Sequence, residues 1–139
     1  MIYSTGYNGW KEADLFARID ESGLTVLDIR YTPWSHRQTW CKPNLQARLG
    51  ARYVHVLPWG NDQYHSSGVL HVTHFADGLE LAAPYLARGP VLLLCACRYR
   101  ETCHRSVLAN LLAQHGYPVD ELPHPEDAEN VLPGMEVTP

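Results

Sequence analysis

A chain of 139 residues, 45% hydrophobic and 19% charged, has the size and balance of one globular domain that buries its own core. A formal net charge of -4 argues against a general nucleic-acid binder. Basic charge is nevertheless concentrated in two windows, Arg30, Arg37 and Lys42 in one and Arg98, Arg100 and Arg105 in the other. No apolar run approaches the roughly 18 residues that a membrane span needs. The opening MIYSTGYNGW lacks the basic-then-apolar pattern of a secretion signal, so the expected compartment is a reducing cytoplasm. There Cys41, Cys95, Cys97 and Cys103 stand for metal binding or catalysis rather than disulfides.

Along the chain, Ile2 to Thr5 is a strand ending at the turn from Gly6 to Gly9. Lys11 to Ser22 has a helical apolar face of Leu15, Phe16 and Ile19, with Gly23 as its stop. Thr25 to Ile29 is β-branched and of strand length; residues 31 to 42 are irregular. Pro43 suits a first helical position, so a short helix runs from Pro43 to Leu49 and Gly50 stops it. Tyr53 to Leu57 is a third strand, followed by a loop over residues 58 to 72. Phe75, Leu79, Ala82 and Leu86 mark a helix of about three to four turns, bent or ended early by Pro84. Val91 to Cys95 is the most apolar strand and therefore central. His104 to His115 is a helix with Val107, Leu108, Leu111 and Leu112 inward, and Val119 to Leu122 is a last strand.

This alternation predicts a single α/β domain over residues 1–122, a mostly parallel sheet of about five strands with helices on both faces. Residues 123–139 form an acidic, proline-containing C-terminal extension. Ligands of such sheets bind beyond the carboxyl ends of the strands, where the chain places Thr5, Asp28 with Arg30, His55 and Cys95 to Cys97.

The stretch VLLLCACRYRETCHRS is the densest in chemistry. A helix beginning at Cys103 would aim free N–H groups and its dipole at an anion and lower the pKa of a thiol there. Cys103, His104 and Cys97 are the candidate catalytic residues, with Cys97 the more accessible thiol and His104 the proton carrier. Cys95 continues the apolar alternation and reads first as a buried, inert thiol. Arg105 and Arg30 are candidate anion binders, with Asp28 orienting a cation, and Thr5, His36 and Arg37 join them as substrate-binding candidates. Residues 31 to 40 read as a loop that covers one side of the sheet with Trp34 and Trp40; the alternative is a flap whose aromatics suit stacking on a base or sugar. His65, His71 and His74 fit a solvated loop.

Cys95, Cys97, Cys103 and His104 also read as a ligand list for zinc. Against it, C-x-C-x5-C-H lacks a C-x-x-C knuckle, and neighbours such as Cys103 and His104 diverge on a helix. No resident cofactor is therefore expected.

Two resemblances meet at these residues. The segments from Ile2 to Gly6, Leu27 to Arg30 and Tyr53 to His55, together with LLLCACRYRETCHR, resemble the family called domain of unknown function number 488. The apolar run, Cys-Ala, a polar loop and Cys-His-Arg form its most specific signature. The chain departs where members carry an acid, here Cys97, and where they carry His, here Tyr7. The resemblance implies a fold and a shared rim, without an established reaction. More distantly, the Asp-x-Arg after a strand, the strand-end Cys95 and the Arg-Ser opening a helix are similar to rhodanese-like domains. That likeness implies persulfide or phosphate chemistry at the strand-end thiol. The loop here is two residues longer and has no glycine, and the C-x5-R arrangement of cysteine phosphatases is absent.

The leading expectation is thus a small cytoplasmic enzyme with a Cys/His/Arg anion site, performing thiol-dependent sulfur or phosphoryl transfer or redox chemistry. Its ligand is small and anionic or phosphate-containing, and no membrane partner is expected. The alternatives are a non-catalytic nucleotide or nucleic-acid binding module and a Cys/His metal-binding protein.

Overall fold

The computed structural model describes residues 1–63 and 69–126. His65 and most of the expected C-terminal extension lie outside the described residues.

The strands are β1 (Ile2–Gly6), β2 (Thr25–Asp28), β3 (Tyr53–His55), β4 (Val91–Cys95) and β5 (Val119–Glu121). The helices are α1 (Glu12–Glu21), α2 (Lys42–Leu49), α3 (Phe75–Arg88) and α4 (Arg105–Gln114). All strand pairs are parallel, in the order β3-β2-β4-β1-β5. The expected α/β architecture is therefore the one formed, with Val91 to Cys95 at its centre. Every residue of β4 is buried, as a strand with helices on both faces requires.

Side chains alternate across this sheet because successive residues of a strand point to opposite faces. Val91, Leu93 and Cys95 join Leu27 and Ile29 on one face, under Leu108 and Leu112 of α4 and Ala82 of α3. Leu92 and Leu94 join Val26 on the other, under Leu15 and Ile19 of α1 and Leu45 and Leu49 of α2. Since β2 is followed by a helix on one face and β4 by a helix on the other, a crevice opens between their carboxyl ends.

Three local expectations are corrected. Pro84 neither ends nor truncates α3, which continues to Arg88; the ring lies on the exposed side of the helix. Strand β3 stops at His55 rather than Leu57, because Leu57, Pro58 and Trp59 form a tight 3-10 turn. Helix α4 begins at Arg105, with Cys103 still extended (φ -124°, ψ 145°).

Two glycines mark places where a side chain has no room. A Cβ on Gly78 in α3 would overlap the indole of Trp59, whose Nε1–H donates to the Phe75 carbonyl at 3.0 Å. A Cβ on Gly6, at the end of β1, would overlap the Cys97 carbonyl. Tyr7 and Asn8 extend that close approach by donating N–H bonds to the carbonyls of Cys95 and Ala96 at 2.9 and 3.1 Å.

Candidate functional site

The crevice at the ends of β2 and β4 is a cleft of about 490 Å³. Cys95, Cys97, Cys103 and His104 line one side and Arg30 another. Tyr31, Thr32 and Trp34 contribute from the segment after β2, and Asn61, Val69 and Leu70 from the loop before α3.

The sulfur side follows from the chain's path out of β4. Cys95 is the last strand residue, pointing to the α3/α4 face. Cys103 is extended and His104 turns into the helical region (φ -60°, ψ -16°). That kink sends both side chains back toward Cys95, where consecutive helical residues would diverge. The Cys103 thiol donates to the Cys95 sulfur at 3.2 Å, and each sulfur lies 3.8 Å from His104 Nδ1. The three residues are 4%, 1% and 6% exposed for Cys95, Cys103 and His104. His104 Nε2 lies 2.7 Å from the Ile29 carbonyl. A carbonyl only accepts, so Nε2 carries a proton and, in the neutral ring, Nδ1 turns its lone pair to the sulfurs.

Cys97 is half-buried and faces the cleft. The neighbouring Cys103 and Cys95 thiols hold its pKa below the ordinary thiol value against the effect of burial, with His104 and Arg105 adding attraction. Hydrogen bonding to Cys95 and Cys97, and then burial, push Cys103 up. Cys95 also rises, because Cys97 and burial outweigh the hydrogen bond from Cys103. Negative charge in the cluster therefore settles on the most accessible sulfur. Burial opposes the charged form of His104, yet the Cys103 thiol and the Ile29 carbonyl raise its pKa overall.

Arg30 is held by Asp28 through Nε to Oδ1 at 2.9 Å and Nη2 to Oδ2 at 2.7 Å. Asp28 is fully buried and also accepts from the Tyr53 hydroxyl at 2.5 Å. Arg30 Nη1 donates to the Tyr7 hydroxyl at 3.3 Å. Asp28 thus orients Arg30, which is buried and is one of the residues lining the cleft. His55, at the end of β3, meets the Arg30 carbonyl at 2.7 Å through Nε2.

Arg105 is placed differently. Its Nε and Nη2 meet Glu121 at 3.1 and 2.7 Å, Nη1 donates to the Cys97 carbonyl at 2.5 Å and Nη2 to the Arg98 carbonyl at 3.0 Å. It is fully buried and is not part of the cleft wall. The structure does not bring it together with Arg30 around one ligand; it ties the Cys97 loop to β5. Thr5 is also fully buried, accepting from Trp10 Nε1 at 3.0 Å and donating to the Leu122 carbonyl at 3.3 Å. His36 and Arg37 are exposed and lie outside the cleft wall, Arg37 donating to Asn8 Oδ1 at 3.2 Å.

The segment from 31 to 40 divides its two tryptophans. Trp40 is fully buried and stacks on Tyr7 and Phe16, with centroids 4.8 and 5.3 Å away. Trp34 is 62% exposed at the cleft mouth. His71 pairs with Asp62 at 3.4 Å, and His74 precedes α3. Asn61, Val69 and Leu70 carried no signal beyond loop composition. Asn61 is nonetheless buried, with its Nδ2 donating to the Val69 carbonyl at 2.8 Å and its Oδ1 accepting from the Gln63 N–H.

Among the described residues, Cys95, Cys103 and His104 form the group of side chains placed to hold a metal ion. No helix of the described residues is long and apolar enough to cross a membrane.

A family model described as "Active DUF488-N3 subclade" matches residues 71–116. No curated protein matches the chain, and no solved structure matches it. The matched segment contains the three sulfurs of the cleft, His104 and Arg105, so it coincides with the signature by which the sequence resembles that family.

Proposed function

From the match of residues 71–116, which carry the sulfur side of the cleft, to a DUF488 family model, we propose that the chain is a small enzyme performing thiol-dependent group transfer on a compact anionic substrate. The carrying observation is that one cleft holds a half-exposed sulfur, Cys97, and a carboxylate-oriented guanidinium, Arg30. Arg30 binds the anionic part of the substrate through the Nη N–H bonds left over from its pairing with Asp28 and Tyr7. The Cys97 thiolate attacks the electrophilic sulfur or phosphorus. The new S–S or S–P bond forms as the bond to the leaving group breaks, and that group departs with the electron pair. The leaving group takes its proton from water in the cleft.

Iodoacetamide labelling of the chelator-treated, reduced chain, mapped by mass spectrometry, tests this reading. Cys97 should label first, phosphate or thiosulfate should slow the labelling, and Arg30→Ala should abolish that protection while leaving Cys97 reactive. Labelling of Cys41 ahead of Cys97, or protection indifferent to Arg30, would reject it.

A second reading, a non-catalytic nucleotide-binding module, is favoured by one observation, the exposed Trp34 lining the same cleft as Arg30. Under it, the Cys97→Ser chain binds a nucleotide as tightly as the parent chain and Trp34→Ala does not.

A further inference from the structure

Three side chains of the cleft have a relationship that the transfer chemistry does not require. Cys95 Sγ, Cys103 Sγ and His104 Nδ1 form a triangle with edges of 3.2, 3.8 and 3.8 Å. Bond lengths of about 2.3 Å for zinc to sulfur and about 2.0 Å for zinc to nitrogen imply tetrahedral edges of about 3.8 Å between two sulfurs and about 3.5 Å between sulfur and nitrogen. Each observed edge lies within roughly 0.6 Å of its counterpart, a distance that small side-chain rotations cover. We propose that these three atoms form a site for one zinc-class ion, with the fourth coordination position open to the cleft.

Four features support it. The ligands are two thiols and an imidazole, the set that selects borderline-soft divalent ions over calcium or magnesium. The imidazole is oriented as a metal ligand requires, its Nε2–H donating to the Ile29 carbonyl at 2.7 Å and leaving Nδ1 as the ligand atom. That nitrogen is buried and its nearest partners are weakly donating sulfurs at 3.8 Å, a poor arrangement for a lone pair withdrawn from water. Finally, the ligands are pre-positioned. Cys95 ends the central strand, and Cys103 and His104 immediately precede α4, whose first residue is clamped to Glu121 and to the Cys97 and Arg98 carbonyls.

The charge balance is also favourable. Binding releases the thiol protons of Cys95 and Cys103 to solvent, and the two thiolates then neutralise the divalent ion, so no net charge is left buried. The site opens to the cleft because its three residues line it, with half-buried Cys97 beside the open position. An ion there would draw Cys95 and Cys103 into coordination and leave Cys97 and Arg30 facing the substrate. The proposal stands without the transfer chemistry described above and the two fail separately.

The test uses the full chain, reduced and stripped with a chelator, then titrated with Co²⁺ and afterwards with Zn²⁺. The expected result is one equivalent of cobalt with thiolate-to-metal charge-transfer absorption and the visible bands of a tetrahedral ion, displaced by one equivalent of zinc. Native mass spectrometry of the unmodified chain should show one zinc with loss of the Cys95 and Cys103 protons. Cys103→Ser and His104→Gln should weaken binding by at least the roughly hundredfold that losing an outer-shell partner can cost, with circular dichroism reporting that each variant is folded; Cys97→Ser should keep the full equivalent. No complex with the folded parent chain would overturn the proposal. So would unchanged binding by both ligand variants, loss of metal in Cys97→Ser alone, or a Cys95–Cys103 disulfide in place of zinc in chain purified under reductant. Zinc binding without protection of Cys97 by phosphate or thiosulfate would uphold this site while rejecting the transfer reading; the reverse pattern would do the opposite.

Discussion

A methyl group at position 6 would fall on the Cys97 carbonyl, which also accepts from Arg105 Nη1. The sulfur at position 97 is therefore held by its own backbone, between a strand that must be glycine at that point and a buried guanidinium. Gly6→Ala should lower unfolding free energy by about 1–3 kcal/mol, the usual penalty for overpacking a tight contact, as read by urea denaturation. It should also slow iodoacetamide labelling of Cys97, because relief of the overlap moves the loop. At this scale the sequence was legible for residue type and misleading for partner. Arg30 and Arg105 look equivalent as letters after a strand and before a helix. The first is turned to the cleft by Asp28; the second is turned away by Glu121, an acid on a strand sixteen residues later. No local spacing reports a partner that only the β1/β5 pairing brings near.

The strand-to-helix connection from Cys95 to Arg105 is the element on which the site depends, and Arg105 is its tie. Arg105→Met removes the bonds to Glu121 and to two carbonyls. Glu121 keeps some solvent, so the loss should fall near the low end for a broken buried pair, about 3 kcal/mol. Arg105→Lys should recover only part of it, since an ammonium cannot reproduce the fork. Unchanged stability together with lost phosphate protection of Cys97 would instead return Arg105 to the anion-binding role suggested by the sequence. Elements with a strong period or a clear stop were readable from letters: α1, β2, β4 and α4 fall within a residue or two of expectation. What was not readable was the boundary that matters most for function. With helix assumed from Cys103 onward, Cys103 and His104 diverge; with the helix starting at Arg105, one extended residue before it makes them converge. Boundaries are decided by tertiary contacts, here the clamp on Arg105, and patterns of apolar residues do not carry that information.

Across the molecule, the cleft follows from topology, because helices leave β2 and β4 toward opposite faces and part the chain between them. An ion held by Cys95, Cys103 and His104 would join the end of the central strand to α4, and through the Ile29 carbonyl to the chain leaving β2. Such a bridge exists only in the folded chain. Zinc at about a hundred times its dissociation constant should therefore add about 2.7 kcal/mol to stability. A thermal-unfolding scan should show a rise in midpoint that reverses with chelator and is absent in the Cys103→Ser chain. The fold class and the sheet were open to sequence reasoning because β4 is uniformly apolar and the helices alternate with strands; the far wall of the cleft, Asn61 with Val69 and Leu70, was not, because loop composition does not say what a loop leans on. One peptide unit also couples the two walls of the cleft. Ile29 offers its carbonyl to the imidazole, and the next residue along, Arg30, carries the guanidinium. Adjacent α-carbons are about 3.8 Å apart, so a displacement of the chain leaving β2 would carry the anchor of the imidazole and the root of the guanidinium with it together.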